Sequence, residues 1–346
     1  MQMSTNLTSS TTSTASPSDS PLSFQAYPSS PSSPATSHVL FKDIADDYVI
    51  KDCIGKGGYG QVYEVTMISQ DEGKDDCHLV AKHISHNQKN EHNEENSVEI
   101  QELPNLFNQN ILCISAVYHH QSGWWLVSEK MNMDLKQYLE NNRGCPSPNE
   151  PKVRKWMQQL LRAVAYCHDH SIIHADIKPS NIFLDKSMNI VLGDFGSAKR
   201  CRLGAACEVT QKAITTLAYS PPEIVSVLPS FDHAVDIWSC ACVFAQLLLG
   251  NPRPIFNDTS EFSQLDFYFH EFGAPCVDEK SPAYWLEFKT SSYYDYIIRH
   301  NIPNRPLPGI KDGLARDLLL EMFQINPSRR VTARNALTHP YFMNQS

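Results

Sequence analysis

The chain has no surplus of basic residues: 29 Lys and Arg stand against 38 Asp and Glu, for a formal charge of -9. A protein built mainly to grip nucleic acid usually shows the opposite balance. Nucleic acid is therefore not expected as a partner, and any phosphate-bearing ligand must be held by local groups. None of the ten cysteines forms a C-x-x-C pair, which argues against a zinc site and for free thiols in a reducing compartment. No apolar run approaches bilayer length, and "MQMSTNLTSSTTSTASPSDS" lacks the basic and apolar regions of a secretory signal. No membrane association is expected, and the location inferred is cytoplasmic or nuclear. Residues 1–40 are mostly Ser, Thr and Pro, with almost no charge and few large apolar side chains. Such a segment cannot bury enough surface to offset its ordering entropy, so a disordered tail is expected there. Its Ser16-Pro17, Ser20-Pro21, Ser30-Pro31 and Ser33-Pro34 are either phosphoacceptors or the chance dipeptides of a low-complexity leader.

What is present begins at "DDYVIKDCIGKGGYGQVYEVTMI". Alternating apolar positions on either side of a glycine turn predict a hairpin, with Gly55, Gly57 and Gly60 fitting G-x-G-x-x-G-x-V and Val62 closing it. A dinucleotide fingerprint would lie between a strand and a helix, whereas Gln61–Ile68 reads as a second strand. Strand-turn-strand suits a flap whose backbone N–H groups lie over phosphates. After the polar turn "SQDEGKDD", "HLVAKHI" predicts a third strand carrying Lys82. A lysine placed there can neutralise the α- and β-phosphates of a nucleotide. Glu99, followed by Ile100, Leu103 and Leu106 at helical spacing, offers the anion to hold it, or is one of several exposed glutamates. Pro104 should end or kink that helix.

The stretch "NILCISAVYHHQSGWWLVSEKMNMDLKQYL" reads as two strands entering a hinge. "VRKWMQQLLRAVAYCHDH" then puts Val153, Trp156, Leu160, Leu161, Val164 and Cys167 on one helical face. It leads into "HADIKPSNIFLDKSMNIVLGDFGSAK", where two acidic residues lie in polar turns among apolar runs. There Asp176 can accept the proton of an attacking hydroxyl, and Asp194 can hold Mg²⁺ bridging nucleotide phosphates. Lys178 can offset charge on the transferring group, and Asn181 can give an oxygen to a second Mg²⁺.

On these motifs the chain resembles a eukaryotic protein kinase from about Tyr48 to Phe342. "HADIKPSN" resembles the catalytic loop, "GDFG" the metal-binding motif and "SPPE" the end of the activation segment. The resemblance implies an α+β, two-lobed fold: a small β-rich N-lobe over residues 41–131, a larger helical C-lobe over 132–346, and an ATP cleft between them. It further implies that Asp236 tethers the catalytic loop, that Arg330 pairs with Glu223, and that Thr216 stands beside Asp176 and Lys178. Catalytic roles thus fall to Lys82, Glu99, Asp176, Lys178, Asn181 and Thr216, and metal binding to Asn181 and Asp194. Nucleotide contacts are implied for Ile54, Gly55, Lys56, Gly57, Gly58, Gly60, Val62, Val80, Lys82, Glu129, Met131 and Phe183, with Ser128 at the gatekeeper position. Lys178 resembles the serine/threonine branch, so ATP, Mg²⁺ and protein substrates are the implied ligands.

"DFGSAK", "DIWSCACVFAQLLLG" and "FSQLDFYFHEFGAP" resemble the cyclin-dependent and glycogen synthase kinase group. Ser220, however, replaces an arginine tied there to proline-directed choice, and "NEENSV" does not resemble a cyclin-binding helix. Ala175 stands where many kinases have an arginine that pairs with an activation-segment phosphate on a residue such as Thr210 or Thr215. Control would then pass to a regulatory protein partner, to the tail, or to Tyr59 in the flap. The other reading is a pseudokinase scaffold that binds partners without turnover; such chains usually lack at least one of Lys82, Glu99, Asp176, Asn181 and Asp194.

Overall fold

The computed structural model describes residues 39–58, 60–68, 78–86, 97–142, 150–208, 216–226, 228, 230–257, 260–273, 281, 295, 299, 307, 309–311 and 313–343. Residues 1–38 of the Ser/Thr/Pro-rich stretch, the whole polar turn after Ile68, and Tyr59, Thr210 and Thr215 lie outside the described residues.

Among those residues the N-terminal half is one sheet whose strands lie in the spatial order Val39–Leu40, Ile114–His120, Gly123–Glu129, Leu79–Ser85, Gly60–Met67 and Tyr48–Gly57. The glycine hairpin forms as its alternation predicts, β2 (Tyr48–Gly57) running antiparallel to β3 (Gly60–Met67). Next to it lies β4 (Leu79–Ser85), whose Lys82 is level with Val62 on one side and Leu126 on the other. Strands β5 (Ile114–His120) and β6 (Gly123–Glu129) are the two expected before the hinge. Side chains alternate across β6: Trp125 and Val127 pack in one small core with Ile44 and Tyr48, while Trp124 and Leu126 join the main core.

Composition placed Val39 and Leu40 in the tail, but they form strand β1, parallel to β5 with Val39 opposite Val117 and Leu40 opposite Tyr118. Their backbones cover an otherwise open sheet edge. Ile44 just beyond is fully buried, and the Tyr118 hydroxyl donates to Asp47 at 2.6 Å. Helix α1 (Val98–Gln101) is a single turn capped by Ser97, and a 3₁₀ turn, Leu103–Asn105, follows it. Pro104 sits in that turn, where its missing N–H is harmless. Ile100, Leu103 and Leu106 are all buried, as their spacing predicts.

The C-terminal half is helical. Strand β7 (Met133–Asp134) leads into α2 (Leu135–Asn141), capped by the Asp134 carboxylate. The six apolar residues read as one face of α3 (Glu150–Asp169) are each no more than 1% exposed. Burial of such side chains contributes about 1.5–3 kcal/mol apiece before entropy is counted. Short strands β8 (Ile172–Ile173), β9 (Ile182–Leu184), β10 (Ile190–Leu192) and β11 (Lys199–Arg200) carry the functional loops, and β12 (Cys207–Glu208) pairs with β13 (Ser230–Phe231). Between them lies the single turn α4 (Pro222–Val225). Helix α5 (Ala234–Leu249) is buried on every side from Val235 to Leu247, as befits a central helix, and Gly250 closes it at φ 59°. Helix α6 (Glu261–Phe272) packs against α4, and the Trp238 ring meets Tyr268 and Phe323. No helix among the described residues is long and apolar enough to cross a membrane.

Candidate active site

Lys82 projects from β4 between two carboxylates. Its Nζ donates to Glu99 Oε1 at 2.6 Å and Oε2 at 2.8 Å, and to Asp194 Oδ1 at 2.7 Å. Glu99 is only 3% exposed, which removes the reading of a solvated glutamate. Burial works against the Lys82 charge, but the Glu99 and Asp194 carboxylates outweigh it and raise the ammonium above its ordinary range. Asp194 moves the other way: burial opposes its charge, yet Lys82 holds the carboxyl below its usual range. Asp194 has left-handed backbone, φ 56° and ψ 72°, uncommon for a residue with a Cβ and concentrated at functional sites.

Asp176 is 7% exposed and almost fully engaged. Its Oδ1 accepts from the Thr216 hydroxyl at 3.0 Å, and its Oδ2 accepts from Lys178 Nζ at 2.7 Å and Asn181 Nδ2 at 3.0 Å. Lys178 Nζ also donates to Thr216 Oγ1 at 2.8 Å, closing a ring of three side chains. Because Asn181 Nδ2 is occupied by Asp176, including its carbonyl at 2.8 Å, the amide oxygen is left as an acceptor, met by Ser180 Oγ only at 3.5 Å. Gly193 N donates to the Asn181 carbonyl at 3.0 Å, which brings Asn181 beside Asp194. These are hard oxygen donors of the kind Mg²⁺ takes, an ion usually held by one or two carboxylates plus phosphate oxygens and water. Among the described residues no group of three His, Cys, Asp or Glu side chains is arranged around a metal, so such an ion would complete its shell with substrate.

Two supporting residues escaped the sequence reading. His174, fully buried, accepts from Asp176 N at Nδ1 (3.3 Å) and reaches the Gly193 carbonyl with Nε2 (3.0 Å). A carbonyl only accepts, so Nε2 carries the proton, and one neutral imidazole ties both acidic loops together. His168 bonds Asp236 Oδ2 at 2.9 Å, behind the catalytic loop. Asp236, the tether the resemblance implied, also accepts from His174 N and Ala175 N, each at 2.9 Å. Burial opposes its charge, but the bond from His168 holds the carboxyl below its usual range. A histidine in an apolar run such as "SIIH" has no periodicity to betray it. Arg330 meets buried Glu223 in a two-pronged pair, 2.8 Å and 3.1 Å, as the resemblance also implied.

Of the residues assigned to nucleotide contacts, Val62, Val80, Lys82 and Ser128 share one face of the N-terminal sheet, whereas Phe183 lies on β9 of the C-terminal half. Gly60 has φ 143°, and a Cβ there would come within 2.5 Å of the His83 carbonyl, so the hairpin itself demands this glycine. Around Gly57 and Gly58 a Cβ would meet nothing within 4 Å, and around Gly55 it would make only an ordinary contact with Val62. Ile54, Lys56 and Glu129 are exposed, while Val62, Val80, Met131 and Phe183 are partly buried. The Phe183 ring lies where a Gly193 side chain would be, 2.8 Å from its ideal Cβ. Ser128 is buried and level with Val80 and Ile114. Neither tryptophan fills the space beside it. Trp125 faces the opposite side of the sheet and stacks on His83, and Trp124 lies four residues up the strand, about 13 Å away at 3.3 Å per residue.

The first half of the activation segment is fastened at two points by backbone pairing. Lys199 and Arg200 pair with Ile173 and Ile172, and Cys207 and Glu208 pair with Phe231 and Ser230. Arg200 also bonds Glu102 beyond α1. Ala175, with left-handed backbone at φ 61°, is 1% exposed in an apolar cluster of Ile173, Cys201, Phe231 and Val235, against which Cys207 and Ile224 pack. Packed apolar groups therefore surround Ala175, the position at which the resemblance led to an arginine being expected. At its far end the segment is held by Ser239 Oγ, which donates to the Tyr219 carbonyl at 2.8 Å, and by Tyr268, whose hydroxyl donates to the Ser220 carbonyl at 2.7 Å.

The family model described as protein kinase domain matches residues 48–342, and the chain belongs to that family. Its class is thus a phosphotransferase with ATP as substrate, typically with Mg²⁺.

Proposed function

We propose that this chain is an active serine/threonine protein kinase, transferring the γ-phosphoryl of Mg-ATP to Ser or Thr hydroxyls of protein substrates. The observation that carries the reading is Lys82 clamped between Glu99 and Asp194 while Lys178, Asn181 and Thr216 hold Asp176. A clamped ammonium is pre-positioned for the α- and β-phosphates, because the side chain is ordered before the nucleotide arrives. Asp176 takes the proton of the attacking hydroxyl at its carboxylate oxygens, where exchange with Thr216 costs little motion. Lys178 stands between Asp176 and Thr216, placed to meet charge developing on the transferred group. Asp194 and the Asn181 amide oxygen would hold Mg²⁺, which would supply neutralisation of the nucleotide's phosphate charge. Glu129 and Met131 would offer hinge backbone groups to the base, and Ile54, Val62, Val80 and Phe183 its apolar walls, with a back wall left open by Ser128. The expected partners are ATP and protein substrates, and the expected location is cytoplasmic or nuclear.

The test is incubation of the full chain with labelled Mg-ATP and a mixed peptide library, beside Asp176→Asn. Label should appear on Ser and Thr in the wild type and be lost in the variant. Nucleotide binding with no transfer above the variant would instead establish a scaffold, and label on Tyr would overturn the residue specificity.

A further inference from the structure

The cluster around Ala175 brings two of the chain's cysteines together. Cys201 and Cys207 are both free thiols; Cys201 belongs to the buried cluster, its sulfur 3.5 Å from the Ala205 carbonyl, and Cys207 packs against the same cluster. Local geometry holds them there. Cys201 N donates to the Ser171 carbonyl at 2.7 Å, Ala205 N turns back to the Arg202 carbonyl at 2.9 Å, and Gly204 takes φ 79°. Cys207 is held from the other side by its pairing with Phe231. The stretch "CRLGAAC" therefore closes on itself, with a sulfur at each end.

The two thiols differ in a useful way. Cys201 is 5% exposed, and burial pushes its thiol up to about 12. Cys207 is partly exposed. The thiol that solvent can reach is the one that an oxidant meets first. Neither cysteine has a part in the phosphoryl-transfer site.

We propose that Cys207 and Cys201 are a peroxide-responsive pair whose disulfide locks the activation segment in the arrangement described above. In the first step the Cys207 thiolate attacks one oxygen of hydrogen peroxide; the O–O bond breaks, hydroxide leaves, and Cys207 becomes a sulfenic acid. In the second, the Cys201 sulfur displaces hydroxide from that sulfenic sulfur, its thiol proton going to the leaving group as water. Overall two thiols and one peroxide give one disulfide and two waters, and a cellular dithiol reverses the reaction. Because both side chains already pack in one cluster, bond formation needs little movement. It joins the arm tied to Ser171 and β8 to the arm tied to β13, where other kinases use a phosphate. The effect on control rests on the kinase reading, but the sulfur chemistry does not.

The test uses the full reduced chain, exposed to hydrogen peroxide, alkylated under denaturing conditions and mapped by mass. Cys201 and Cys207 should become protected together, with the peptide two hydrogens lighter, and a dithiol should restore both. Cys201→Ser should stop at a sulfenic acid on Cys207 trapped by a 1,3-diketone, and Cys207→Ser should leave Cys201 alkylatable. Amide exchange over residues 199–208 should slow at least tenfold in the oxidised chain. Independent oxidation of the two cysteines, or a crosslink to a different cysteine, overturns the pair; a crosslink with unchanged exchange overturns the lock. A chain that crosslinks as described but never transfers phosphate upholds the pair and counts against the kinase reading alone.

Discussion

Asp194 is bound to Lys82 on one side and, at a third exposed, open to the cleft on the other. Removing it takes away a metal-binding oxygen but little packing, and Lys82 keeps both oxygens of Glu99. Asp194→Ala should therefore lower turnover by on the order of a thousandfold or more while the thermal midpoint stays within a few degrees; near wild-type turnover would overturn the metal assignment. His233 makes a different prediction. It is buried, and its ring lies 4.7 Å from that of His168. Burial and the His168 charge depress it below 6.5, against the pull of Asp236 and Asp232. The unfolded chain then binds more protons than the folded one as pH falls below 6.5, so this residue's contribution is complete above that pH and declines below it. Urea unfolding of His233→Phe, a neutral ring of similar size, should show a flatter decline than wild type between about pH 7 and 5. An equal slope would mean that another group controls it.

At the scale of elements, the activation segment is held by two strand pairs, by the Ser239 and Tyr268 contacts and by the apolar cluster around Ala175. None of these needs a phosphate. Enzyme treated with phosphatase should keep its activity within about tenfold, or 1.4 kcal/mol of barrier. A loss of a hundredfold, about 2.7 kcal/mol, restored by phosphate on Thr210 or Thr215, would show that another cation, such as Lys199, Arg200, Arg202 or Lys212, does the work of the missing arginine. Thr216 is a poor regulatory site on this geometry, because its hydroxyl is already committed to Asp176 and Lys178.

For the whole molecule, the family match begins at residue 48, yet the N-terminal sheet begins earlier. Val39 and Leu40 edge β5, Ile44 fills the small core, and Asp47 anchors Tyr118. A chain starting at residue 48 should thus be less stable than one starting at residue 37 by on the order of 2–5 kcal/mol, the range for emptying a core site; equal urea midpoints would show that the strand adds nothing. This strand was not legible in the sequence, because two apolar residues beside a Ser/Thr/Pro-rich stretch have no period to read. The hairpin and α3 were legible, since Gly60 and the Val153-to-Cys167 stripe repeat at the spacing their structures require. So were Lys82, Asp176 and Asp194, whose charges interrupt apolar runs. The links among them were not. His174 and the surroundings of Ala175 come from residues far apart in the chain, which only tertiary packing brings together.

The setting of Ala175 bears on descent. An arginine restored at that position would drive a guanidinium into space already filled by Phe231, Val235 and Cys201, and an unpaired buried charge costs several kcal/mol. Seating an arginine there would require several size-reducing or polar substitutions together, each harmful before the others arrive. A cluster closed over alanine therefore resists that single change.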